Sequence, residues 1–178
     1  MKVRVVSYDP GWSSEFAAEA ERIRSVLGGV AVAIHHIGST AIPGLSAKPI
    51  IDMLLEVDTI QALEAHSPAL VGMGYEAKGE FGIPGRRFFR KESAAGVRTH
   101  QIHAFERGSA GSERHIAFRN YMISHPDEAQ AYSLLKQQLA VSHPDDIEAY
   151  MDGKDSFIKE HEAKAVLWMR NNTISVTK

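Results

Sequence analysis

The stretch from His36 to Val57 reads HIGSTAIPGLSAKPIIDMLLEV and sets a Gly-Ser pair, a lysine and an aspartate in the order a phosphate-handling site needs. Gly38 has no Cβ, so a ligand can approach the backbone there. If a short helix starts at Ser39, its unpaired N–H groups, with the Ser39 and Thr40 hydroxyls, can meet phosphate oxygens. Lys48 adds a positive charge. On a strand, Asp52, Leu54 and Glu56 share one face while Ile51, Met53, Leu55 and Val57 share the other. An acid in so apolar a strand marks a face that is partly open or binds something. The alternatives are a plain loop with a capping serine and an acid bonded to loop amides.

Further along, Arg86, Arg87, Arg90 and Lys91 surround Phe88 and Phe89. Alternation puts Arg87 with Phe89 and Lys91 on one face and Arg86 with Phe88 and Arg90 on the other. Arg87 and Lys91 are read as phosphate or base contacts, against the alternative of a solvated strand face. Cysteine is absent, so thiolate ligands and a cysteine nucleophile are excluded, while nine histidines remain. His35, His66, His125, His143 and His161 read as surface, capping or core residues. Tyr121, Tyr132, Tyr150, Phe157 and Trp168 fall at helical positions and read as core.

The elements that position these groups are legible from periodicity and punctuation. A short strand is expected at Val3 to Val6, then a turn at Asp9-Pro10-Gly11 and a helix capped by Ser13 or Ser14 that ends at Gly28-Gly29. Strands follow at Val30 to Ile37 and Ile50 to Val57, with a helix between Asp58 or Thr59 and about Val71. The Gly-rich loop Gly79 to Gly85 leads to strands at Arg87 to Lys91 and Val97 to Phe105. Everything after Gly111 reads as helix: Ser112 to Ser124, then to about Ser142 after His125-Pro126, then one or two more after His143-Pro144. Asn172 to Lys178 are expected to fray. The whole is an α+β chain of one domain over 1–178, with a mixed β-sheet core over about 1–110 and a C-terminal helical segment over about 111–171 packed on it.

Composition bounds the partners. With 178 residues and 44% hydrophobic content the chain can bury a substantial core. A formal charge of -2 supplies no global field for a polyanion, which excludes extended nucleic acid as a partner. No run approaches the roughly 20 apolar residues of a membrane helix, and Met1 to Val6 is no secretory signal. A soluble, cytoplasmic protein is expected.

A Gly-Ser turn followed about a dozen residues later by a strand acid resembles the nucleotidyltransferase superfamily. More closely, YDPGW at Tyr8 to Trp12, HIGSTAIPGLSAKPIID at His36 to Asp52, GEFGIPGRRFFRK at Gly79 to Lys91, THQIH at Thr99 to His103 and FRNYMISHP at Phe118 to Pro126 resemble the GrpB family. The resemblance implies a nucleotidyltransferase-like fold and a site for a nucleoside triphosphate or another phosphorylated small molecule, with Asp52 and Ser39 at its catalytic centre. It also implies a divalent metal. Nucleotidyl transfer generally uses two carboxylates spaced Asp-x-Asp or Asp-x-Glu, whereas here the second position is Leu54, and Glu56 lies about 13 Å along the strand. A second ligand must then come from another strand: His100, His103, Glu80, Glu92 and Glu106 are available. The resemblance points to THQIH. Spacing sends His100 and His103 to opposite faces, and His103 is favoured as the partner of Asp52 around magnesium or manganese, with zinc or nickel as the imidazole-preferring alternatives. A noncatalytic nucleotide or metabolite sensor and a metal-dependent hydrolase with Asp and His ligands are the competing functions.

Overall fold

The computed structural model describes residues 2–176, with side chains described through residue 172. Helix α1, Gly11–Leu27, precedes strand β1, Ala33–Ile37, and strand β2, Ile51–Val57. Helix α2, Ile60–Gly72, leads to β3, Tyr75–Ala77, β4, Arg87–Glu92, and β5, Arg98–Glu106. Helices α3, Ala110–Ser124, α4, Pro126–Ser142, and α5, Ile147–Val176, complete the chain.

The strands form one mixed sheet in the order β1-β2-β5-β4-β3, in which β2 and β5 run parallel and the other pairs antiparallel. Period-two alternation divides the two faces. Ile51, Met53, Leu55, Phe89, Ile102 and Ala104 pack against α1 and α2 through Ile23, Leu27, Leu63 and Leu70. On the other face, Leu54 packs with Ile37, Phe105 and Ile116 of α3. Beyond the sheet, the bundle closes on Met122, Ala129, Tyr132 and Phe157. Gly153 lets α5 approach α4 closely, since a Cβ there would meet the Leu139 side chain at 2.4 Å.

Several boundaries differ from the sequence reading. The expected strand at Val3 to Val6 is a single antiparallel bridge, Val6 to Ala47, and the Val3 amide donates instead to the Pro144 carbonyl before α5. Helix α1 starts earlier than Ser13: the Asp9 side chain accepts from the Gly11 amide at 2.8 Å, so the Asp-Pro-Gly turn is itself the helix start. Strand β1 begins at Ala33 because Gly28–Val30 form a 3-10 turn. Thr59 caps α2 and Ser109 caps α3, each accepting an amide three residues on. The chain after His143-Pro144 makes one long helix, Ile147–Val176. Thr177 and Lys178 lie outside the described residues.

Candidate functional site

A pocket of about 230 Å³ opens at the C-terminal side of Ile37, between the sheet face that carries Asp52 and the three C-terminal helices. Asp52 stands opposite Ile37 on β1 and Gln101 on β5. The turn after β1 starts at Gly38, whose φ of 72° suits glycine, and a Cβ there would lie 3.0 Å from Asp52 Oδ2. The turn and the carboxylate are thus built against each other. Ser39–Ala41 form a 3-10 turn of three residues, too short for a developed helix dipole. Any anion there is met by individual amides and by side-chain charge.

His103 reaches Asp52 from the neighbouring strand, with Nε2 3.1 Å from Oδ1. The buried Arg86 places Nη1 3.3 Å from His103 Nδ1. A guanidinium has no acceptor, so Nδ1 must accept, the ring proton sits on Nε2, and His103 donates to Asp52. In this arrangement Nε2 has no lone pair for a metal ion. Arg86 is fixed in turn by donating to the Phe81 and Glu80 carbonyl oxygens, and its guanidinium lies 4.8 Å from the Phe88 ring centre. His100 points to the other face of the sheet, beside the buried Glu19.

Three lysines converge on the same pocket: Lys48 before β2, Lys136 of α4 and Lys154 of α5. Lys136 is 1% exposed, and its Nζ has no hydrogen-bond partner. Aromatic rings stand where carboxylates would be expected. Tyr150 carries Lys48 5.3 Å and Lys154 4.9 Å from its ring centre, and Lys136 lies 4.5 Å from the Tyr132 ring. The Tyr132 hydroxyl lies beside Ser39 of the turn. The Tyr150 hydroxyl is buried and unpartnered, and burial pushes it up to about 12. Burial, helped by the neighbouring lysines, pushes Lys136 down to about 6. Lys154 is likewise pushed down to about 8, by burial and Lys48, and burial also lowers Lys48. His115 of α3, also lining the pocket, is pushed down to about 3 by burial and the positive groups near it. Asp52 is the one carboxylate in the lining, so several cationic groups are desolvated around a cavity with little counter-charge of its own. Such an arrangement calls for an anion.

Of the residues singled out from the sequence, Gly38, Ser39, Lys48, Asp52 and His103 meet at this pocket. Thr40 lines it too, but its hydroxyl accepts from His36 Nε2 at 2.9 Å and donates to the Ile50 carbonyl, so it clamps the turn to the start of β2. Arg87 and Lys91 are elsewhere. Strand alternation puts both on the α1/α2 face of the sheet, where Arg87 pairs with Glu64 and Lys91 with Glu19. Their charges are already met. Glu56 is held by His35 and by Ser112, which donates to it at 2.8 Å. Leu54, in the position of a second carboxylate, is 0% exposed.

Sequence reasoning missed Lys136, Tyr150, Lys154, Arg86 and His115. One signal was present for the first of these. In α4 the buried positions Ala129, Tyr132, Ser133 and Lys136 recur at i, i+3, i+4 and i+7, so a lysine occupies the inward stripe of an otherwise ordinary helix. Tyr150 and Lys154 repeat the spacing on α5.

A mixed sheet bearing a Gly-Ser turn beside a strand aspartate, with a helical bundle closing over them, defines the nucleotidyltransferase fold. The structure of Cid1 in complex with its short product ApU overlays with a TM-score of 0.53 at 14% identity, covering 76% of this chain and 42% of that one. The chain belongs to the GrpB family, whose model, described as GrpB protein, matches residues 2–164. Its structure is similar to the crystal structure of conserved protein GrpB from Enterococcus faecalis, with a TM-score of 0.88 and 41% identity over 93% of this chain and 99% of that one. It is also 47% identical over 173 residues to UPF0157 protein YqkA of Bacillus subtilis (strain 168), a match that takes in 96% of this chain. The chain spans 50% of the length of that relative. Among the described residues no helix is long and apolar enough to cross a membrane.

Proposed function

We propose that this GrpB-family chain is a nucleotidyltransferase that binds a nucleoside triphosphate in the pocket between Gly38-Ser39 and the three lysines, and transfers its nucleotidyl group to a small acceptor. The observation that carries this reading is the buried, unpartnered Lys136 Nζ beside Lys48 and Lys154. Three desolvated amines facing a single carboxylate, Asp52, are costly to hold in their charged form unless an anion of several charges repays them. A triphosphate tail does so.

In the transfer, the acceptor hydroxyl oxygen bonds to the α-phosphorus as the bond from that phosphorus to the oxygen bridging to the β-phosphate breaks. Pyrophosphate leaves and the hydroxyl proton passes to water. The lysines meet the charge that grows on the leaving pyrophosphate, and because they are set in advance they need no reorganisation. Gly38 leaves room for the Asp52 carboxylate against the turn, and His103, held by Arg86, keeps Asp52 in one rotamer. Among the described residues no group of three His, Asp or Glu side chains is placed to enclose a metal ion. The residues present therefore fit a divalent ion that arrives with the phosphates and touches Asp52, as magnesium commonly does, better than an Asp/His cage. Such an ion would supply Lewis-acid polarisation of the α-phosphate.

The test is transfer of label from α-³²P nucleoside triphosphates with release of pyrophosphate, alongside thermal shifts with and without magnesium or manganese. Stabilisation by triphosphates that disappears in Lys136→Met supports the reading. Equal melting temperatures with every nucleotide at millimolar concentration would overturn it. A second reading, a nucleotide sensor without transfer, is favoured by the core burial of Leu54 and predicts the same binding with no pyrophosphate released.

A further inference from the structure

A second cleft of about 300 Å³ opens beside the first and shares Lys48 and Ile50 with it. Its cationic wall comes from three separate parts of the chain. Lys2 and Arg4 stand on the N-terminal segment, Lys48 precedes β2, and Arg98 follows the β4–β5 hairpin turn. The wall is fixed by backbone: the Val3 amide donates to the Pro144 carbonyl at 2.9 Å, Val6 bridges Ala47, and the Ser93 amide donates to the Val97 carbonyl at 2.7 Å. No acid lines the cleft. Among the described residues Lys2, Arg4 and Arg98 have no ion-pair partner, and Arg98 Nε is buried without a hydrogen bond. Pro49 and Val97 give the cleft an apolar side as well.

In a chain of net charge -2, four cations gathered without an acid are a local device and no general basic surface. The apolar side leaves space for the body of the same ligand, and the volume is at the lower end of small-molecule sites. It is too small, and its charge too clustered, to track a polymer backbone.

We infer that this cleft binds the phosphate group of a small phosphorylated acceptor, whose hydroxyl enters the triphosphate pocket past Lys48 and Ile50. The role as acceptor site rests on the transfer reading above; the binding of phosphate by the cleft does not. Lys48 then stands between the two substrates, with one face toward each phosphate.

The experiment is calorimetry with the full chain saturated in α,β-methylene-ATP, which blocks the first pocket, followed by titration with ribose 5-phosphate, AMP or a ten-residue oligonucleotide. Ribose 5-phosphate or AMP should still bind, and Arg4→Glu and Arg98→Glu should each weaken that binding at least tenfold while changing α,β-methylene-ATP affinity less than threefold. Arg4 is exposed, so its variant folds even if Arg98→Glu does not. If neither phosphate binds the saturated protein, or the charge reversals leave their binding unchanged, the cleft proposal falls and the triphosphate reading stands. If the phosphates bind in an Arg4-dependent way to a protein that ignores α,β-methylene-ATP, the transfer reading falls and the cleft remains. An oligonucleotide that binds a hundredfold more tightly than AMP overturns the small-molecule acceptor in favour of a nucleic acid end.

Discussion

His103 of β5 donates its Nε2 proton to Asp52 Oδ1 of β2 at 3.1 Å, across the parallel pair at the middle of the sheet. Because Arg86 occupies the other ring nitrogen, the imidazole in this arrangement donates to the carboxylate and holds it in place. Gln in place of His103 can still donate to Asp52, whereas Ala cannot. Manganese affinity of the triphosphate complex should therefore stay within about threefold in His103→Gln and be lost in Asp52→Asn. A tenfold loss, about 1.4 kcal/mol, in His103→Gln by calorimetric titration would show that His103 ligates the ion after all.

Lys136→Met removes a buried amine that has no partner and keeps most of its volume. The apo protein should gain about 1 to 2 kcal/mol in urea denaturation, while triphosphate affinity falls at least tenfold. A less stable apo variant with intact nucleotide affinity would make Lys136 a structural residue.

Lys136 has a folded-state value near 6, below its ordinary 10.5, because burial and the other lysines disfavour the charge. Between these values the unfolded chain holds the proton and the folded chain does not, so stability of the apo protein rises with pH across that window. The slope approaches 1.4 kcal/mol per pH unit for one group. The histidines depressed by burial, His36 to about 4 and His115 to about 3, act in the same direction but below their ordinary 6.5. Melting curves from pH 6.5 to 7.5 isolate Lys136, because above that range Lys154, itself pushed down to about 8 by burial and Lys48, adds to the slope.

Triphosphate binding reverses that depression, since the anion favours the charged amine. Binding at pH 7.5 should then take up close to one proton, and affinity should fall up to tenfold per pH unit above about 6. Calorimetry in buffers of different ionisation enthalpy measures the uptake directly. Zero uptake would mean that the phosphates do not reach Lys136.

Gly38→Ala should separate the site from the fold. A residue with a Cβ at φ 72° is strained by about 1 to 2 kcal/mol, and the new methyl would press on Asp52 Oδ2. Transfer should drop at least a hundredfold with a modest loss of melting temperature. Full transfer activity in this variant would remove Asp52 from the chemistry.

How the sheet alternates, and with it the separation of His103 from His100, was readable in the sequence, because strand geometry sends successive side chains to opposite faces whatever they pack against. The same rule put Arg87 and Lys91 together on one face. It could not say which face that was, since only the packing of α1 and α2 onto Phe89 and Ile102 decides it. The Gly38-Ser39 turn and Asp52 were legible because the turn and the acid lie within a single local stretch. The cationic half of the pocket was not. Lys136 and Lys154 are distant in sequence from Gly38, and each reads alone as an ordinary helical lysine. Their meaning comes from α4 and α5 packing at Gly153 and folding back over the sheet, which strips water from charges that the sequence alone would leave solvated. Local stereochemistry thus fixed the elements and their faces, and long-range burial alone decided which charges were left without partners.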